Sequence, residues 1–174
     1  MIIVKILKVI IGILCMPIFI PALATVVVVA MVKDARRIPF KDEDIEDMIK
    51  CVFKPILEEE LKIYGYVRIE LKENTKNTTR GACAQVMADI YNIKIYQNRD
   101  LKSIIRTLAH EYRHVWQHTY NSNILKDYID SDVDYDKYYK HPSEVDAREF
   151  ANKFIASKRI KELMKECSKT SIGK

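Results

Sequence analysis

The stretch Thr107-Leu108-Ala109-His110-Glu111-Tyr112-Arg113-His114-Val115-Trp116-Gln117 carries two imidazoles four residues apart, with a carboxylate directly after the first. On an α-helix, positions i and i+4 lie one above the other on the same face. A helix over residues 100–119 is predicted on two grounds. Leu101, Ile104, Ile105, Leu108, Tyr112, Val115 and Trp116 recur at helical spacing, and Asp100 can cap the start. At 100° per residue these apolar positions form one stripe, and His110 and His114 project from the opposite side. The helix thus rests its back on a core and turns its histidines toward something else. Two solvated histidines beside an incidental glutamate would be the plain alternative, but they do not account together for the spacing, the Glu and the strand that precedes them.

This pattern is HExxH, in which both histidines bind a metal and the glutamate reaches a water without occupying the metal. A catalytic zinc takes three protein ligands and keeps a fourth position open. The third ligand is expected from a second helix that begins near Ser143. Glu144 is the first choice, since Ala147 and Ala151 continue its face and would let the two helices approach closely. An i,i+4 surface pair with Arg148 is the plain role for Glu144. Asp146 and His141 are the competing ligands, and the plain role for Asp146 is a capping box with Ser143. His118 shares the histidine face, but lies about 12 Å along the axis from His110, too far for one metal.

Around this core the chain reads as an α+β domain over residues 42–174. Ile45, Met48, Ile49, Val52, Phe53, Ile56, Leu57 and Leu61 give a first helix that Pro55 kinks or splits. Residues 66–71 alternate as a half-buried strand, and 82–88 and 90–96 read as two more. After the HExxH helix comes a loop rich in Asp and Tyr, then a last helix over 143–165. Asp130, Asp132, Asp134 and Asp136 alternate like a calcium loop, but Tyr135 and His141 stand where an EF-hand needs Gly and Glu. The loop is read as solvated, with Tyr135, Tyr138 and Tyr139 as candidate hydrogen-bond donors to an oxyanion.

Ahead of the domain, Val9 to Val32 is 24 residues without a charge. That length predicts a single-pass transmembrane anchor over 1–32, followed by a juxtamembrane linker over 33–41. Ala22-Leu23-Ala24 resembles a signal-peptide cleavage site, but the apolar run continues past it. Pro17 and Pro21 would kink the span or turn it into a shallow loop. Lys and Arg near its ends place the domain on the cytoplasmic side. Cys51, Cys83 and Cys167, widely spaced, are expected as free thiols. Asn77-Thr78-Thr79 matches a glycosylation sequon. The net charge of +5 is interspersed, without the basic stripe that nucleic-acid binding needs; lipid headgroups are the expected partner of Lys33, Arg36 and Arg37.

The HExxH segment, together with Ser143-Glu144-Val145-Asp146-Ala147-Arg148-Glu149-Phe150-Ala151, resembles the small gluzincin-type metallopeptidases of bacteria and their phages. The resemblance covers about residues 64–156. It implies one catalytic zinc on His110, His114 and Glu144, with Glu111 as general base in the hydrolysis of a protein or peptide substrate. It also implies a zincin-like order of helix, three-stranded sheet, HExxH helix and third-ligand helix. An edge strand before the HExxH helix should receive the substrate backbone. By position that strand would be Ile90 to Tyr96, with Ile93, Lys94 and Ile95 binding the peptide. A membrane-tethered, non-catalytic metal-binding module of the same fold is the rival expectation; an intact Glu111 speaks against it. Charges at Lys102, Arg106, Glu111 and Arg113 make an intramembrane protease a poor fit.

Overall fold

The computed structural model describes residues 42–72, 81–96 and 100–170, which lie within one compact unit, residues 40–174. The expected anchor, the linker and the Asn77 sequon fall outside the described residues. No helix among the described residues is long and apolar enough to cross a membrane.

The chain is α+β, with a three-stranded mixed sheet and several helices. It opens with α1 (Asp42–Met48), a π-helical turn (Ile49–Phe53) and α2 (Lys54–Leu61). Pro55 explains the widened turn. It lacks an N–H and its ring crowds the preceding turn, so Lys54 N–H bonds back to Ile49 O, five residues away. Ile49 and Phe53 remain fully buried across the distortion. The predicted split thus occurs, as a π turn within one continuous helical run.

Strands β1 (Tyr66–Lys72), β2 (Gly81–Met87) and β3 (Ile90–Tyr96) follow in sequence, but they lie side by side in the order β1-β3-β2. β3 runs parallel to β1 and antiparallel to β2. This corrects the expectation that Ile90–Tyr96 is the edge strand. Its backbone pairs on both sides, and Tyr91, Ile93 and Ile95 are buried beneath the HExxH helix while Lys94 faces outward. The physical reason lies in its side chains. A strand whose alternate residues are Tyr, Ile and Ile releases most from water at the centre of the sheet, each large side chain contributing roughly 1.5–3 kcal/mol. The less apolar β2 is left at the edge. No other described strand pairs with its free side.

Helix α3 (Leu101–Tyr120) packs on β2 and β3. Asp100 caps it, accepting from Ser103 N–H at 3.0 Å and from the Ser103 hydroxyl at 2.9 Å. The predicted stripe is buried at Leu101, Ile104, Ile105, Leu108, Tyr112 and Val115, while its last member, Trp116, is only partly buried against the same core. The acidic loop holds a 3-10 turn (Ser122–Leu125) and a short helix α4 (Tyr135–Lys140). Next comes α5 (Pro142–Ala156), which lies along α3; its Ala147 and Ala151 are fully buried. The last helix was expected unbroken to 165. Instead the chain turns at Ser157 and restarts as α6 (Lys158–Thr170), with Ser157 Oγ accepting from Ile160 N–H at 3.3 Å. The turn lets Ile160 reach the core. Cys51 and Cys83 are free thiols, as expected.

Candidate metal centre

Helices α3 and α5 bring His110, His114 and Glu144 together. One donor atom from each lies within 4.8 Å of the others, an arrangement that can hold a metal ion. His110 Nε2 is 3.2 Å from Glu144 Oε2, His114 Nε2 is 3.1 Å from Glu144 Oε1, and the two Nε2 atoms are 3.1 Å apart. Tetrahedral ligands at ordinary zinc bond lengths of about 2.0–2.1 Å sit about 3.3 Å from one another. The two imidazole nitrogens stand at about that spacing from each other, and each stands so from one oxygen of Glu144, His110 from Oε2 and His114 from Oε1. Glu144 Oε2 is buried and has no hydrogen-bond partner despite the imidazole beside it. Its positive neighbours are the His110 imidazole at 3.2 Å and the Arg148 guanidinium at 3.7 Å, and a cation bound there would complete it. Two imidazoles and a carboxylate suit zinc and several other divalent transition metals.

The electrostatics are those of a site shaped for charge. Burial disfavours the ionised form of Glu144, but the two imidazoles outweigh it and hold its pKa well below the ordinary carboxylate value. Burial also disfavours protonated His114, yet the Glu144 bond and the Glu111 charge raise its pKa. Glu111 is buried one position along, and that burial raises its pKa against the pull of both histidines. Cys83 on β2 is a thiol held protonated, its pKa pushed up to about 12 by burial and by the Glu111 charge.

The other two candidate ligands serve elsewhere. His141 is the N-cap of α5. Its Nε2–H donates to Lys126 O at 3.0 Å, and Nδ1 accepts from the Ser143 hydroxyl at 2.8 Å, so neither nitrogen is left for a metal. Asp146 forms no capping box with Ser143. It receives two bonds from Arg113, Nε at 2.7 Å and Nη2 at 3.0 Å, and one from Gln117 Nε2 at 2.8 Å. Arg148 stands 3.7 Å from Glu144 Oε2, so the plain i,i+4 pair exists alongside the metal-site role.

Among the tyrosines proposed as donors, Tyr138 packs edge-on against Tyr128 close to Glu144. Tyr135 and Tyr139 stack on each other near the surface, and Arg148 lies over the Tyr139 ring. Tyr128, which sequence reasoning missed, reaches Glu144 as well. Its hydroxyl donates to Glu144 Oε1 at 3.4 Å, and burial keeps it protonated. No spacing rule marks Tyr128; the loop brings it back only once α4 and α5 have formed. His118 packs near Tyr91, away from the triad, as its distance along the helix required.

No protein-family model, curated protein or solved structure matches the chain.

Proposed function

We propose that this chain is a zinc-dependent metallopeptidase of zincin-like, gluzincin type, held at a membrane by residues 1–32. The observation that carries this reading is the convergence of His110 Nε2, His114 Nε2 and Glu144 on one point, with Glu111 adjacent. Zinc bound there would supply a Lewis acid able to lower the pKa of a water to about 7. Glu111 is the general base: it takes a proton from water and returns it to the departing amine. Its burial favours this, since a carboxylate with a raised pKa holds a proton better near neutrality.

The substrate is a peptide laid along β2. No described strand pairs with its outer side, and it begins at Gly81, beside Glu111, so its backbone can pair with an extended chain. Tyr128 and Tyr138 stand on the Glu144 side as neutral phenols and are the donors suited to a developing oxyanion.

The test is metal analysis of the full chain purified in detergent, together with peptide cleavage by the native protein and by Glu111→Gln. One zinc per chain and cleavage that vanishes in Glu111→Gln are expected. Absence of zinc after growth in metal-replete medium would sink the reading.

A further inference from the structure

Gln117 is fully buried between α3 and α5, and its amide makes three hydrogen bonds. Nε2 donates to Ser143 O at 2.9 Å and to Asp146 Oδ2 at 2.8 Å, while Oε1 lies 2.8 Å from His114 Nδ1. The orientation of the amide follows from its partners alone. A backbone carbonyl and an ionised carboxylate only accept, so the amide must turn both of its protons toward them. That leaves Oε1 facing His114, and an oxygen there requires a proton on Nδ1. In the neutral imidazole, Nε2 then carries the lone pair, and Nε2 is the atom aimed at His110 and Glu144.

Asp146 is itself fixed. Arg113 grips both of its oxygens, and the guanidinium lies 3.8 Å from the Trp116 ring centre and 5.4 Å from that of Phe150. The chain of constraint therefore runs from two aromatic rings through Arg113, Asp146 and Gln117 to one nitrogen of His114. It also ties the first turn of α5, which carries Glu144, to the helix that carries both histidines.

We propose that Gln117, clamped by Asp146 and Ser143, is a positioning residue that forces His114 to present Nε2 to the metal. This rests on His110, His114 and Glu144 being the metal ligands; it does not depend on what the site hydrolyses. The outer partners of metal-bound histidines typically tune affinity 10–100-fold.

The test uses the full chain in detergent, stripped of metal and labelled with 15N at histidine. Long-range 1H–15N spectra at about pH 9, above the ordinary imidazole range of about 6.5, report which nitrogen of His114 holds the proton. Native protein should show Nδ1 protonated, with Nε2 either bare or holding a second proton toward Glu144. A native His114 protonated mainly on Nε2 overturns the proposal without any variant. Gln117→Met keeps the shape and removes all three bonds. It should mix the tautomers and weaken zinc binding, read by chelator competition, by roughly 10–100-fold. An unchanged tautomer with affinity within about threefold of native also overturns it. Because the spectra need neither substrate nor turnover, failure of the peptidase reading would leave this result standing, and the reverse holds too.

Discussion

Gly81, the first residue of β2, lies directly against the carboxylate of Glu111: a β-carbon added at position 81 would meet Glu111 Oε1 at 2.6 Å and Thr107 Cγ2 at 2.7 Å. Contacts that short are not tolerated, so any side chain there must displace the strand or the carboxylate. The missing side chain lets the edge strand and the proposed base come together.

Gly81→Ala should therefore impair cleavage severely while leaving metal content near native. Overpacking of this kind costs about 1–3 kcal/mol, so a modestly lowered melting temperature should accompany the loss. Zinc analysis beside a peptide-cleavage assay checks this. Native turnover in the variant would mean that Glu111 has slack the geometry does not show.

Glu111→Gln should keep both metal and fold yet abolish cleavage. The change removes a proton acceptor without touching a ligand, and it relieves the burial of a charge. A melting temperature equal to or above native, with no product formed, is the expected pair of results.

The ligand assignment predicts an order of effects. Glu144→Ala and His114→Ala should each remove one of three anchoring bonds and lose zinc almost entirely. Asp146→Ala should weaken zinc by about 10–100-fold through Gln117. His141→Ala should leave zinc affinity near native but destabilise α5 by about 1 kcal/mol, since it deletes a helix cap. Chelator competition across the four variants ranks them; zinc lost in Asp146→Ala but kept in Glu144→Ala would reverse the assignment.

Stability of the metal-free protein should depend on pH with a definite sign. His114 has a raised folded pKa, so its contribution is complete below the ordinary 6.5 and is lost as pH rises through the folded value. Glu111, also raised, acts in the same sense. Glu144 is lowered, so its contribution fades only as pH drops below the ordinary 4.5. The melting temperature of chelator-treated protein should fall as pH rises through the interval above the ordinary imidazole value of about 6.5. Zinc-loaded protein should not follow it, because protons compete with metal for the same nitrogens. Calorimetry of both forms is the check, and a metal-free curve that climbs over this interval would contradict the imidazole–carboxylate pairs.

The sequence exposes what local periodicity encodes. Helix α3, its cap at Asp100 and the outward pair His110 and His114 all follow from 3.6-residue spacing, whereas the small residues beside Glu144 only favoured it over Asp146 and His141. Lateral strand order is different in kind. β3 becomes central because Tyr91, Ile93 and Ile95 bury best there, and that competition among three strands has no local signature. The break at Ser157 was equally hidden, since serine within a helical pattern is unremarkable until Ile160 has a core to reach. Asp146 looked like a ligand or a cap because its partners, Arg113 and Gln117, sit on another helix roughly thirty residues earlier. Tyr128 reached Glu144 through loop geometry alone.

The side of β2 that no described strand pairs with has a consequence for how this protein behaves in a concentrated solution. Gly81-Ala82-Cys83-Ala84-Gln85-Val86-Met87 contains no charged residue and no proline, the gatekeepers that ordinarily keep exposed strands from pairing with a neighbouring molecule. The only irregularity along it is the register shift between Gln85 and Met87. The backbone groups suited to capturing an extended peptide are thus equally open to the same strand of another molecule. Self-association should rise with concentration and recede when a short extended peptide is supplied. A lysine introduced at Ala84, whose side chain points away from Glu111 in the strand alternation, should keep the molecules apart in storage while leaving the metal untouched.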